Sequence, residues 1–253
     1  MTEPNKPLEQ MTAQERLDLG NSYYNDGRFD EAITAWSNIR REDNPEAYAA
    51  AQFSLGNTYK AQGEPEQAIT TWSNIRREDN PETYAAAQFN LGLTYKAQGE
   101  PEQAITTWSN IHREDNPKTY AWAQFNLGII YKDLAYKDKD EDQRKLDEAI
   151  AAWSNIHRED NPETYARAQL NLGKIYAKSK KVKEAKEAYR NAREFFYYEG
   201  ERGYRIHRCP PKVIEKLRDI AKNTDEVLKS LQIIPDFESQ VAHYSRASTA
   251  FTL

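Results

Sequence analysis

Cysteine is nearly missing from this chain: Cys209 is the single one in 253 residues. One thiol excludes an intramolecular disulfide framework and fits a reducing compartment. Histidine is scarce as well, with four copies, and His207-Arg-Cys209 has neither a metal-ligand spacing nor a second thiol. No stretch approaches the roughly eighteen apolar residues of a membrane-spanning helix, and MTEPNKPLEQ lacks the apolar core of a secretory signal. There is no glycine-rich phosphate loop, no H-E-x-x-H and no G-x-S-x-G. Strand-like alternation is absent too. These absences predict a soluble, cytoplasmic, all-α protein that is not an enzyme and takes no metal or cofactor.

Charge, by contrast, is plentiful, at 30% of residues with a mean hydropathy of −0.96. That is polar for a compact globule but ordinary for a thin stack whose every helix keeps one face wet. The net charge of −5 hides an asymmetry. Between Lys174 and Lys222 stand 15 Lys/Arg against 7 Asp/Glu, so this end is basic and the remainder acidic.

What the chain has in abundance is itself. Residues 51–86 and 87–122 differ at five positions, and Trp36, Trp72 and Trp108 lie at a fixed period of 36. Such a period marks a repeat array. Gly20, Gly56, Gly92, Gly128 and Gly173 each follow a leucine and precede a tyrosine by three residues (Tyr23, Tyr59, Tyr95, Tyr131, Tyr176). An alanine follows (Ala32, Ala68, Ala104, Ala149, Ala185), then four residues later an aromatic: Trp36, Trp72, Trp108, Trp153 or Tyr189. Asn-Pro at 44–45, 80–81, 116–117 and 161–162 places a capping Asn before a first-turn proline. Thr12-x-x-Glu15 is a capping box, and Gly63 and Gly99 end the first helix of their repeats ahead of Pro65 and Pro101.

This L-G-x-x-Y … A-x-x-x-aromatic … P pattern resembles the tetratricopeptide repeat family over roughly residues 14–195. Two features depart from that family. The period carries two extra residues between the second helix and the next first helix, and Gln52, Gln88 and Gln124 stand where a tryptophan is usual. The 36-residue period also suggests Sel1-like repeats, but those place their extra residues between the paired helices. The resemblance implies a right-handed α-solenoid of about five helix-turn-helix repeats. Repeats are expected at about 14–49, 50–85, 86–121, 122–166 and 167–200, within a solenoid of 12–200 preceded by a flexible 1–11. In the fourth repeat, Gly128 and Ala149 are 21 residues apart instead of twelve. The nine extra residues fall in a charged insertion at 133–148, expected as a lengthened first helix with a solvated loop or as a protrusion that touches a partner.

The resemblance further implies that first helices line a concave groove. Three of the five differences between repeats two and three then fall on it: Ser54/Asn90, Asn57/Leu93 and Ala86/Trp122. The expected groove residues are Phe53, Asn57, Lys60, Phe89, Asn90, Leu93, Lys96, Trp122, Phe125, Asn126, Ile129, Lys132, Asn171 and Lys174. Asparagines suit a peptide backbone, aromatics make pockets and lysines attract carboxylates. The implied partner is a protein or peptide with apolar anchors and acidic residues. The two-carboxylate clamp of chaperone-binding relatives needs lysine where Leu17 and Phe53 stand, so that ligand class is not expected.

Elsewhere the residues have structural readings. His112 and His157 replace Arg40 and Arg76 and are expected at the end of the second helix, complementing its dipole. The Arg-Glu-Asp-Asn-Pro carboxylates are expected in solvated turns. Pro210-Pro211 opens an amphipathic stretch, making 201–234 a capping-helix region, with 235–253 a tail or the start of a further domain. His243-Tyr-Ser resembles the opening of some bacterial domains of unknown function and of ADP-ribosyltransferase-like folds. The chief expectation is a non-enzymatic interaction scaffold. One alternative is the recognition half of a longer bacterial protein whose second domain follows residue 253. The other is nucleic-acid binding through the basic end, which the aromatic demands of the core make the less favoured partner.

Overall fold

The computed structural model describes residues 6–137 and 142–206, with side chains described through 195. The expectations for 207–253, including most of the capping region and the whole tail, lie outside the described residues. Among those described, all regular structure is helical. The chain divides into two compact units, Met1–Ile156 and His157–Leu253.

The first unit opens with a short 3-10 turn, Leu8–Gln10, and holds four helical hairpins. These are α1 (Ala13–Asn25) with α2 (Phe29–Ser37), α3 (Pro45–Ala61) with α4 (Pro65–Ser73), α5 (Pro81–Ala97) with α6 (Pro101–Ser109), and α7 (Pro117–Ala135) with α8 (Gln143–Ser154). Each odd-numbered helix packs on its partner, and α1, α3, α5 and α7 also touch one another in sequence, forming a layer. The second unit holds the hairpin α9 (Pro162–Lys178) and α10 (Val182–Ile206). Residues 201–206 continue α10 without a break.

Local chemistry sets the boundaries. Thr12 and Glu15 form a reciprocal capping box at α1, and Lys6 closes on the Glu15 carboxylate at 2.7 Å. The Lys6 hydrogen bond, followed by the Thr12 backbone N–H, holds the Glu15 carboxyl down at about 2. Asn44, Asn80, Asn116 and Asn161 accept from the backbone N–H three residues on, with proline at the first helical position. The hairpin turns close on Gly27, Gly63 and Gly99 at φ of 75°, 80° and 78°, the left-handed region that glycine enters without steric cost. The second unit puts Lys180 there, at φ 58°, where a side chain costs about 1 kcal/mol.

Inside a hairpin the glycine and the tryptophan are one device. A Cβ on Gly92 would stand 2.2 Å from Trp108 Nε1, and the same collision recurs at Gly20, Gly56 and Gly128. Only a bare α-carbon lets the indole lie flat against the neighbouring helix. Trp72, Trp108 and Trp153 are fully buried, and each donates its N–H to a main-chain carbonyl of that helix: Phe53 at 3.3 Å, Phe89 at 3.1 Å and Phe125 at 3.1 Å. In the second unit Tyr189 takes the place of the indole beside Gly173.

The nine-residue insertion spreads over three elements. Helix α7 is 19 residues long against 17 for α3 and α5, and α8 is 12 against nine for α4 and α6. The remaining extra residues widen the connection, which Asp142 closes by capping α8 and donating its N–H to the Ala135 carbonyl. Helix α7 thus gains two residues, about half a turn rather than the turn or two expected of a lengthened first helix, and α8 grows by three.

The Arg-Glu-Asp-Asn-Pro segment corrects the solvated-turn reading. Asp79 and Asp115 are buried, with side chains only 2% exposed. Arg41 Nε lies 3.0 Å from Asp79, and Arg77 Nε lies 2.9 Å from Asp115, in each case 38 residues along the chain. The same carboxylates accept main-chain N–H groups of their own turn, from Arg76 and His112. The arginines reach further, to the main-chain carbonyls of Asn74 and Asn110, and Arg113 does the same at Asn155. Each also lies over a tyrosine ring of the following helix: Arg41 on Tyr48, Arg77 on Tyr84, Arg113 on Tyr120. Successive hairpins are therefore tied by an ion pair as well as by apolar packing. His112 is corrected as well. Because α6 ends at Ser109, His112 sits in the connection, exposed and 3.5 Å from Glu114, past the last turn where a helix dipole acts.

Candidate protein-interaction face

The layer formed by α1, α3, α5 and α7 carries most of the expected groove residues. Phe53, Phe89, Leu93, Phe125 and Ile129 are half-buried, each giving part of its surface to the hairpin core and part to the outside. Phe89 has two aromatic neighbours, Trp108 at 6.2 Å and Trp122 at 5.7 Å, and its carbonyl also accepts the Trp108 indole N–H. Trp122 is 37% exposed, the largest apolar side chain offered by α5 or α7. Its counterparts Ala50 and Ala86 are half-buried and small.

Lys118 completes this spot. Its Nζ lies 5.0 Å from the Trp122 ring centroid, a cation over a π face one helical turn away. Reasoning from groove positions alone missed Lys118, yet a signal was present. Glu82/Lys118 and Ala86/Trp122 are two of the five differences between the near-identical repeats, and they stand four residues apart. One helical turn thus changed from acidic and small to basic and aromatic.

The polar members behave differently from free hydrogen-bonding groups. Asn90 donates to Asn57 at 3.0 Å, joining α5 to α3, and Asn126 donates to the Trp122 carbonyl at 2.9 Å. Their carbonyl and amide groups are partly committed inside the protein. The lysines also separate into kinds. Lys60 lies 5.8 Å from the Trp72 ring centroid, Lys132 pairs with Asp133 at 3.1 Å, and Lys96 is exposed at the last turn of α5. Asn171 and Lys174 belong to the second unit, where Asn171 is half-buried and Lys174 exposed.

The tyrosines whose hydroxyls titrate high, Tyr84, Tyr131 and Tyr189 among them, are shifted first by burial. Among the described residues no three His, Cys, Asp or Glu side chains converge as a metal set. Nor is any described helix long and apolar enough to cross a membrane.

Comparison with known proteins agrees with this architecture. Models described as tetratricopeptide repeat match residues 17–57, 53–118 and 166–193. The crystal structure of MamA protein is similar over 79% of this chain and 97% of its own, with a TM-score of 0.52 at 23% identity. A structure from the functional characterization of Pseudomonas aeruginosa pilF is similar over 89% of this chain and 94% of its own, with a TM-score of 0.50 at 18% identity. At such identities the likeness concerns the fold. No curated protein matches the chain. With repeat models matched from α1 to the start of α7 and again across α9 and α10, half of its residues in all, the chain belongs to the tetratricopeptide repeat family.

Proposed function

We propose that this protein is a non-enzymatic scaffold that holds a peptide or protein segment along the layer of α3, α5 and α7. The observation that carries the reading is Trp122, left 37% exposed on a platform of Phe89. A large aromatic that is not used to fill the core, on the same helix layer as half-buried Leu93, Phe125 and Ile129, has the composition of a binding hot spot. Lys60, Lys96 and Lys118 on the same helices give the face a positive rim, which favours a ligand with apolar anchors flanked by acidic residues. Asn57, Asn90 and Asn126 contribute by fixing that face, since their amides already bond within the protein.

The test is binding of a peptide library, graded in acidic and apolar content, to the intact chain and to two variants. Trp122→Ala is expected to lower affinity for the best peptide about thirtyfold, the effect of removing an anchor worth about 2 kcal/mol. Leu93→Asp/Ile129→Asp is expected to abolish binding with the helical circular dichroism unchanged. Peptides bound equally well by all three proteins would place the ligand elsewhere and defeat the reading.

A further inference from the structure

The turn between α9 and α10 breaks a rule kept by the other hairpins. Over the thirteen residues after the pattern glycine, the first three hairpins are acidic: 21–33 holds Arg28 against three acids, 57–69 holds Lys60 against Glu64 and Glu66, and 93–105 holds Lys96 against Glu100 and Glu102. The matching 174–186 holds six lysines, no arginine and one acid, Glu184. Lys174, Lys178, Lys180, Lys181 and Lys183 are exposed. Lys174, Lys180, Lys181 and Lys183 enter no ion pair among the described residues, and unlike Lys60 and Lys118 of the first unit none of them lies over an aromatic ring there.

Two further features sit in the same turn. Lys180 occupies the left-handed position that Gly27, Gly63 and Gly99 fill elsewhere. A side chain held in the left-handed region costs stability that glycine would not, which makes the position a candidate for a role outside the fold. Val182, between Lys181 and Lys183, is 41% exposed and so is one of the few large apolar side chains left in solvent among the described residues. The turn itself is well fixed: Lys180 N–H donates to the Ala177 carbonyl at 3.1 Å and Lys181 N–H to Tyr176 at 2.8 Å. An exposed apolar residue flanked in sequence by exposed Lys181 and Lys183 is thereby presented at the end of a helical hairpin.

We propose that this turn docks the protein on an anionic lipid surface, with Lys174, Lys180, Lys181 and Lys183 on the phosphate headgroups and Val182 entering the interface. Lysines are mobile point charges that suit a fluid layer of headgroups, and clusters of this size are drawn to acidic leaflets. Single-stranded nucleic acid needs exposed rings on which bases stack. Among the side chains described in this hairpin, Tyr189 is buried and Tyr176 and Phe195 are half-buried in its core. A protein partner is a poorer fit, because interface cores are depleted in lysine and built on larger anchors than one valine. The turn shares no residue with the α3–α5–α7 face, so the proposal stands or falls independently of the peptide reading.

The test is co-sedimentation of the full chain with vesicles of phosphatidylcholine, with and without phosphatidylglycerol. The intact protein is expected on the acidic vesicles alone and to be released as salt is raised. Lys180→Gln/Lys181→Gln/Lys183→Gln is expected to lower the partition coefficient about a hundredfold, at about fivefold for each lysine. Lys180→Gly separates docking from folding: its melting temperature should rise with the relief of the left-handed side chain, while partitioning falls about fivefold. Equal partitioning on neutral vesicles overturns the proposal, as does undiminished binding by the triple variant. So does a result in which a single-stranded oligonucleotide is captured through these lysines and acidic vesicles are not.

Discussion

Trp36, Trp72, Trp108 and Trp153 occupy one position in four hairpins, yet they do not make the same bonds. The last three give their indole N–H to a carbonyl, whereas Trp36 Nε1 is buried without a hydrogen-bond partner. A buried donor left unmade costs roughly 1–3 kcal/mol, and a made one contributes about 1 kcal/mol. Replacing tryptophan by phenylalanine therefore has unequal consequences. Trp108→Phe removes a bond to the Phe89 carbonyl, which keeps only its acceptor role within α5, while Trp36→Phe removes a liability. We expect Trp108→Phe to cost at least about 1 kcal/mol more than Trp36→Phe, read from denaturant midpoints at unchanged slope. Equal losses would mean that the indole bond contributes nothing beyond ring volume. The glycine–tryptophan pairing was legible from the fixed spacing of the two residues. The missing bond in the first hairpin was not, because it depends on sub-ångström placement of a helix that sequence spacing leaves open.

Between elements, the decisive contacts are the arginine links. Arg77 is partly exposed and Asp115 is not, so the aspartate is the member that depends on its partner. Removing Arg77 leaves Asp115 with its main-chain donor from His112 but without the guanidinium. Removing both takes away the buried charge as well. Arg77→Ala is expected to cost about 2 kcal/mol, a buried-pair loss discounted for the exposure of the arginine. Arg77→Ala/Asp115→Ala should cost less than the two single changes combined, with a coupling of about 1 kcal/mol or more in a double-mutant cycle. Strict additivity would show the contact to be incidental. This pairing escaped a reading of the sequence because both residues sit in the same five-residue phrase, which looks like a local polar turn. The partner is one repeat away, and periodicity cannot say whether a charge meets its own copy's neighbour or solvent. Helix ends, by contrast, follow from Asn-Pro and Gly, whose effect is local. On the interaction face, Trp122, Leu93 and Asn90 stood out as differences between near-identical copies. Lys118 belonged to the same set of differences, but its role needed the helical neighbour it lies over.

At the scale of the first unit, the governing fact is that the extensive helix contacts among the described residues run within a hairpin or to the next one in the series. Stability in such an array is close to a sum of repeat and junction contributions, so damage stays local. Gly92→Ala drives a methyl into the Trp108 indole and is expected to cost about 1–3 kcal/mol. In hydrogen exchange we expect the loss of protection to be steepest in α5 and α6, smaller in α4 and α7, and least in α1. Uniform loss across the unit would instead describe a single cooperative body.

The arginine link also bears on how a protein of this kind changes length. Donor and acceptor recur with the repeat, so a duplicated block of 36 residues arrives already carrying an arginine for the hairpin ahead and an aspartate for the one behind. Neither splice needs a compensating substitution. The insertion between α7 and α8 makes the complementary point: the Trp153 and Arg113 contacts persist across it at sequence separations of 28 and 42, nine more than in the sister hairpins. Growth by whole copies and growth within a hairpin loop are both tolerated, because the joints are written into the unit being copied. The five differences between residues 51–86 and 87–122 are what such a history leaves behind: a joint kept intact while one turn of a helix became free to acquire a tryptophan.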